Sequence, residues 1–76
     1  MTIDVDNLPK IFGKKIKIER IKQEISQEKL AELAGLHRTT MGLIEKGKCF
    51  PELDTVAKIA NGLNLELNEL FDFTGI

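Results

Sequence analysis

Residues 26–47 read SQEKLAELAGLHRTTMGLIEKG and contain two short helical patterns separated by a glycine. Ser26 is a favourable N-cap, because its hydroxyl can accept a hydrogen bond from a free backbone N–H of the first turn. The acidic Glu28 suits the positive end of the helix dipole. Gly35 is typical of the left-handed residue that follows a helix. The first half of the stretch therefore predicts a helix from about residue 26 to residue 34.

The second half predicts another helix, from about Arg38 to Glu45, ended by Gly47. Met41 and Ile44 lie three residues apart and are expected in the core. The outward positions are Arg38, Thr39, Gly42 and Leu43. A solvent-facing helix would normally carry Glu, Lys or Ala there, so this outer face is unusual. A helix, a glycine turn and a second helix indicate a helix-turn-helix unit, although any compact α-domain has such corners.

Helical spacing also dominates the rest of the chain, and no stretch alternates apolar and polar residues as a strand would. One helix is predicted from Pro9 to about Glu24, another over residues 53–63, and a short one over residues 67–71. In the second and fourth helices, the positions expected to be buried are Leu30, Leu33, Ala34, Leu53, Val56, Ala57, Ala60 and Leu63. The sequence thus predicts an all-α fold of five helices, with a domain over residues 9–73 after an N-terminal segment of residues 1–8.

Length and composition limit the class of protein. A chain of 76 residues with 42% apolar side chains is one small globular domain. Cys49 is the only cysteine, so no intrachain disulfide is possible, and a reducing compartment is expected. The N-terminal residues do not resemble a signal peptide, and no apolar run reaches the ~18 residues of a membrane span. These features predict a cytoplasmic protein with no membrane partner.

The charges are unevenly distributed although the net charge is only −1. Residues 10–48 hold ten basic and five acidic side chains, a net charge of +5, whereas residues 49–76 hold one basic and five acidic, a net charge of −4. A local positive field can attract a polyanion even when the whole protein is nearly neutral.

Residues 12–71 resemble the Cro/CI-like (XRE) helix-turn-helix family. The resemblance is carried by SQEKLAELAGL at 26–36, by an apolar residue followed by x-x-Ile-Glu-Lys-Gly at 41–47, by Pro51, and by LNELF at 67–71. It implies a lambda-repressor-like domain of five helices that binds operator DNA through the major groove, usually as a homodimer. The small size and the LHRT turn look like controller proteins of restriction–modification systems. Small phage or plasmid repressors of the same family fit nearly as well.

The resemblance also implies roles for individual residues. The base-reading residues would be Arg38, Thr39, Gly42 and Leu43. The phosphate contacts would be Gln27, His37, Thr40, Lys46 and Lys48. Arg20 and Glu45 match a structural ion pair between the first and third helices. Alternatives remain open: a phosphate contact for Arg38, a DNA contact for Arg20, a helix cap for His37 or Thr40, and ordinary surface positions for Gln27, Lys46 and Lys48.

Two apolar groups have no assigned cover. The stripe Ile11, Ile18, Ile21 and Ile25 is expected to lie under the N-terminal IDVDNL segment, residues 3–8, or under another subunit. Phe71, Phe73 and Ile76 either close the core or form a dimer contact. Glu24 also departs from the family, which usually has glycine at the end of the first helix.

The leading interpretation is a sequence-specific DNA-binding transcriptional regulator whose partner is double-stranded operator DNA. The alternative is a protein-interaction or antitoxin-like module on the same fold, with weak DNA binding. An enzyme is the third choice, because a chain with one His, one Cys and no Tyr or Trp has few side chains that could act in catalysis. No cofactor is expected, and no residues have the spacing of metal ligands.

Overall fold

The computed structural model describes residues 4–76 and confirms the all-α class with five α-helices. A 3-10 helix, Val5–Asn7, precedes α1 (Leu8–Lys22), α2 (Gln27–Ala34), α3 (Arg38–Glu45), α4 (Leu53–Leu63) and α5 (Leu67–Leu70). No strand occurs within residues 4–76. Residues 1–3 of the predicted N-terminal segment lie outside the described residues. None of the helices in residues 4–76 is long and apolar enough to cross a membrane.

The helix bounds follow from local capping. The Ser26 hydroxyl accepts a hydrogen bond from the Lys29 N–H at 2.9 Å, as its N-cap position predicts. Gly35 ends α2 with a φ of 70° and Asn64 ends α4 with a φ of 56°, both in the left-handed region. The first helix ends two residues earlier than predicted, because Glu24 has a φ of 58° and cannot continue an α-helix.

One apolar core joins all five helices. Its buried side chains are Phe12, Ile16, Leu30, Ala31, Ala34, Met41, Ile44, Val56, Ile59, Ala60, Leu63 and Leu70. The main helix pairs are α2 with α4, α1 with α3, and α2 with α3. Since α2 and α3 both pack into this core, the helix-turn-helix unit is fixed on its inner side and only its outer side is free.

Two residues that were expected in the core are exposed. Leu33 is 49% exposed and Leu53, the first residue of α4, is 66% exposed. On α2 the buried positions are Leu30, Ala31 and Ala34; at 3.6 residues per turn, Leu33 lies roughly 100° from their centre. Ile59 is fully buried although it was not among the expected core residues.

The apolar stripe on α1 is only partly covered. Ile25 packs against the core and Ile11 is half-buried, but Ile18 is 38% exposed and Ile21 is 56% exposed. For Ile18 and Ile21, the prediction that the N-terminal segment covers the stripe is therefore wrong as far as its described part, residues 4–8, is concerned. A second subunit stays a prediction for Ile18 and Ile21.

The phenylalanines form a cluster at one end of the core. The ring of the buried Phe12 lies 4.7 Å from that of Phe50 and 5.9 Å from that of Phe71, and Phe73 meets Phe71 edge-on at 6.4 Å between ring centroids. Phe71 and Phe73 thus contribute to core closure. Phe71 and Ile76 also keep exposed surface, so a dimer contact stays a prediction for this group.

Candidate nucleic-acid interface

The outer face of α3 is exposed while its inner face is buried. Met41 and Ile44 point into the core, whereas Arg38, Thr39 and Leu43 are exposed and Gly42 is half-exposed. Leu43 keeps 44% of its surface in solvent. The four predicted base-reading residues line one shallow concavity, together with two predicted phosphate contacts; the full lining is Gln27, Arg38, Thr39, Gly42, Leu43 and Lys46.

The other predicted phosphate contacts lie outside this concavity. His37 and Thr40 are exposed at the start of α3, and Lys48 is exposed in the loop that follows it. His37 occupies the N-cap position, but its side chain makes no capping hydrogen bond, so a capping role for His37 is wrong. These three residues are close in sequence to those that line the concavity. Because their side chains are exposed, they can contact a ligand that extends beyond it.

Arg20 and Glu45 connect α1 to α3 under the interface. Arg20 Nε donates to Glu45 Oε2 at 2.8 Å and Nη2 donates to Glu45 Oε1 at 3.1 Å. Arg20 Nη1 also donates to the carbonyl oxygen of Ile25 at 2.9 Å. The hydrogen bonds to Glu45 raise the pKa of the Arg20 guanidinium, against the opposing effect of partial burial. Since the Glu45 side chain is only 4% exposed, this carboxylate is held away from a ligand on the outer face.

Gln27 lies between this ion pair and the outer face of α3. Its Nε2 donates to Glu45 Oε1 at 3.3 Å. A β-carbon placed on Gly42 would lie 3.4 Å from Gln27 Oε1, so the glycine leaves the side chain of Gln27 open to the concavity. The start of α2 and the middle of α3 are therefore in contact at the interface.

The charge of the interface is positive. Within residues 4–76 the ion pairs are Lys15–Glu19, Arg20–Glu45, Lys22–Glu19 and Lys29–Glu32. Arg38, Lys46 and Lys48 take part in none of them, and the exposed positions of α3 carry no carboxylate. The positive charge of this surface suits a polyanion, and its polar and apolar side chains can contact hydrogen-bonding groups that lie between the anionic groups.

Comparison with known proteins decides the family. The model of a helix-turn-helix family matches residues 16–70, about three quarters of the chain, and includes both α2 and α3. This chain belongs to the XRE-type helix-turn-helix family.

Restriction–modification control proteins are among the relatives of this helix-turn-helix protein. It is 40% identical to control protein C.BamHI of Bacillus amyloliquefaciens over 72 residues, 93% of this chain and 89% of that protein. It is 31% identical to control protein C.SmaI of Serratia marcescens over 70 residues, 92% of this chain and 83% of that protein. The crystal structure of the restriction–modification controller protein C.AhdI from Aeromonas hydrophila matches with a TM-score of 0.80 and 36% identity, covering 83% of this chain and 96% of that chain.

The sequence did not predict the positions of Lys10 and Gly13, two residues of α1 that approach α3 and the residues after it. A β-carbon on Gly47, which has a φ of 74°, would lie 2.8 Å from the Cα and the Cγ of Lys10. The first turn of α1 therefore lies against the backbone that follows α3, where Lys10 is next to Gly47. Gly13 makes a similar close approach to the backbone of Ile44 and Glu45. Neither contact has a local signal, because each depends on how α1 crosses α3.

No group of histidine, cysteine, aspartate and glutamate side chains within residues 4–76 has the arrangement of a metal site. Cys49 is an exposed free thiol in the loop after α3.

Proposed function

We propose that this protein is a transcriptional regulator that binds a specific operator as a homodimer, with α3 of each subunit in the major groove. The observation that carries the proposal is the outer face of α3: exposed, free of carboxylates, and lined by Arg38, Thr39, Gly42 and Leu43. Recognition helices of helix-turn-helix proteins contact base edges with their N-terminal residues. In α3 those residues are Arg38 and Thr39.

Each outward residue has chemistry that suits a base edge. The Arg38 guanidinium can donate two hydrogen bonds to O6 and N7 of guanine. The Thr39 hydroxyl can donate or accept, and the Leu43 side chain can contact a thymine methyl group. Gly42 reduces helix propensity by ~1 kcal/mol relative to alanine, but lets the helix axis approach the bases more closely. A readable surface of four neighbouring positions would cover only a few base pairs.

The predicted phosphate contacts flank this surface. Gln27 begins α2, where backbone N–H groups and the helix dipole favour an anion. Lys46 and Lys48 follow at the other end of α3, with His37 and Thr40 at its start. Contacts of this kind fix the register of a protein on DNA and make its affinity depend on salt.

A dimer follows from the small size of the reading surface. Two subunits related by a two-fold axis would read half-sites ~34 Å apart and gain affinity from joint binding. Exposed apolar residues are available for the contact, both at the C-terminus (Phe71 and Ile76, beside the partly buried Phe73) and on α1 (Ile18 and Ile21). The similarity to C.BamHI, C.SmaI and C.AhdI supports a controller role in a restriction–modification system, acting in the cytoplasm.

Binding-site selection from random DNA duplexes tests this function directly. The wild-type protein should enrich a motif with two-fold symmetry. Arg38→Ala should lose the preference at one position of each half-site, worth ~1–3 kcal/mol. The matched control Lys48→Ala should weaken binding to all sequences and lower the salt slope by about 1.

The proposal fails if folded wild-type protein enriches no motif. Binding that does not respond to salt would instead favour the protein-interaction or antitoxin-like module, since several phosphate contacts must produce a steep salt dependence. Sedimentation of the wild-type protein with a single duplex would show whether two subunits bind one site.

A further inference from the structure

The orientation of the Gln27 amide is fixed by its neighbour. Glu45 accepts two hydrogen bonds from Arg20, at 2.8 and 3.1 Å, and one from Gln27 Nε2 at 3.3 Å. Both oxygens of this carboxylate accept hydrogen bonds, and a carboxylate offers no donor in return. The amide oxygen of Gln27 therefore cannot face Glu45, and the NH₂ group must. The ion pair between α1 and α3 thus determines which end of the amide faces outward.

The outward atom of Gln27 is consequently Oε1, an acceptor. It lies 3.4 Å from the point where a β-carbon on Gly42 would stand, on the surface shared with Arg38 and Leu43. A phosphate oxygen carries no hydrogen at neutral pH, so Oε1 cannot bond to it. In the major groove, by contrast, two groups donate hydrogen bonds: the exocyclic amines at N6 of adenine and N4 of cytosine.

We infer that Gln27 is a specificity residue that accepts a hydrogen bond, through Oε1, from an exocyclic base amine next to the base read by Arg38. The inference rests on the proposed function. It assigns Gln27 a second role, because the backbone N–H and the other Nε2 hydrogen remain available for a phosphate. Arg38 and Gln27 would then present a cationic donor and a neutral acceptor side by side on one surface.

This arrangement also explains the glycine at position 42. A larger side chain there would stand between Gln27 Oε1 and the bases, since even a β-carbon comes within van der Waals contact. The acceptor is thus accessible because Gly42 has no side chain, and is correctly oriented because Nε2 of the same amide is held by its hydrogen bond to Glu45. Arg20 and Glu45 act here as positioning residues that need not touch DNA.

Site selection with Gln27→Met tests the inference, because methionine has a similar volume but neither donor nor acceptor of comparable strength. The variant should lose the preference at one adenine or cytosine of each half-site, a change of roughly 2- to 13-fold in relative affinity, as expected for one neutral hydrogen bond. Lys48→Met is the matched control and should keep every preference. Circular dichroism of each variant checks that it is folded.

A second measurement uses the wild-type protein and altered DNA. Within the selected operator, adenine is replaced by purine, which lacks the N6 amine, or cytosine by pyrimidin-2-one, which lacks the N4 amine. One of the two replacements should weaken wild-type binding at the position identified, and which one does so shows whether Gln27 reads adenine or cytosine. The same replacement should not change the affinity of Gln27→Met. If Gln27→Met binds all sequences more weakly but keeps every preference, or if neither replacement weakens the wild type, the inference is overturned and the proposed function stands. If the wild type enriches no motif, both are overturned.

Discussion

Replacing Gly13 by alanine should destabilise the protein, although alanine is the better helix former. Gly13 lies in α1 where this helix crosses α3. A β-carbon at this position would stand 2.5 Å from the carbonyl oxygen of Ile44 and 2.6 Å from that of Glu45. Ordinary van der Waals contact begins at 3.4 Å, so α1 and α3 would have to separate by about 0.9 Å. Both obstacles are backbone atoms, which cannot rotate away as a side chain can.

The net effect is a difference between two terms. Overpacking of a close contact costs ~1–3 kcal/mol, and two contacts with backbone place Gly13→Ala at the upper end. Alanine recovers ~1 kcal/mol of helix propensity. The free energy of unfolding should therefore fall by about 2 kcal/mol, which corresponds to a melting temperature lower by roughly 8–16 °C in a domain of this size.

Urea denaturation followed by circular dichroism at 222 nm measures this change. Gly42→Ala is the matched control, because Gly42 is also helical but its β-carbon would meet only the end of the Gln27 side chain, with Oε1 at 3.4 Å and Cδ at 4.0 Å. The control should gain up to ~1 kcal/mol from helix propensity. An increase in stability for Gly13→Ala similar to that of the control would show that the helices do not approach as closely as described.

Other substitutions test the caps and the ion pair. Glu24→Gly should raise the free energy of unfolding by about 1 kcal/mol, since the exposed Glu24 has a φ of 58°; Asn64→Gly should gain less, because asparagine tolerates this conformation. Chemical denaturation measures both, and a loss of stability in Glu24→Gly would contradict the strain. Ser26→Ala should cost about 1 kcal/mol and Ser26→Gly only a few tenths; equal losses would exclude a capping role for the hydroxyl. Arg20→Met should cost about 3–5 kcal/mol, because it leaves a nearly buried carboxylate unpaired, and the double variant Arg20→Met/Glu45→Leu should recover much of the loss in thermal melts. Additive losses in the double variant would refute the pairing argument.

The sequence predicts the helices better than it predicts their buried faces. The N-cap at Ser26 and the left-handed residues Gly35 and Asn64 are local signals, and the helices around them have the predicted bounds. Burial depends on which neighbour a helix meets. Leu33 and Leu53 have apolar side chains at plausible helical spacing, but about half or more of each residue is exposed in the described chain.

The candidate site shows the same division. The outward-facing residues of α3 can be predicted from the helical repeat alone. The structure places all four of them, Arg38, Thr39, Gly42 and Leu43, on one surface. The contact of Gln27 with Glu45 joins residues 18 positions apart, and the approach of Gly13 to Ile44 joins two helices. Such relationships depend on the crossing of α1, α2 and α3 and leave no periodic trace in the sequence.

The seating of α1 on α3 defines where the working unit of this protein begins. The family match starts at residue 16, yet Lys10, Phe12 and Gly13 all precede it and either contact α3 or anchor the core beside it. An isolated helix of eight residues is not stable in water, so α3 keeps its shape only because other elements hold it. A chain shortened to the matched residues would retain every outward side chain of α3 and lose half of the helix that supports them. We therefore expect the minimal folded helix-turn-helix unit to be longer than the matched residues and to extend back to the first turn of α1.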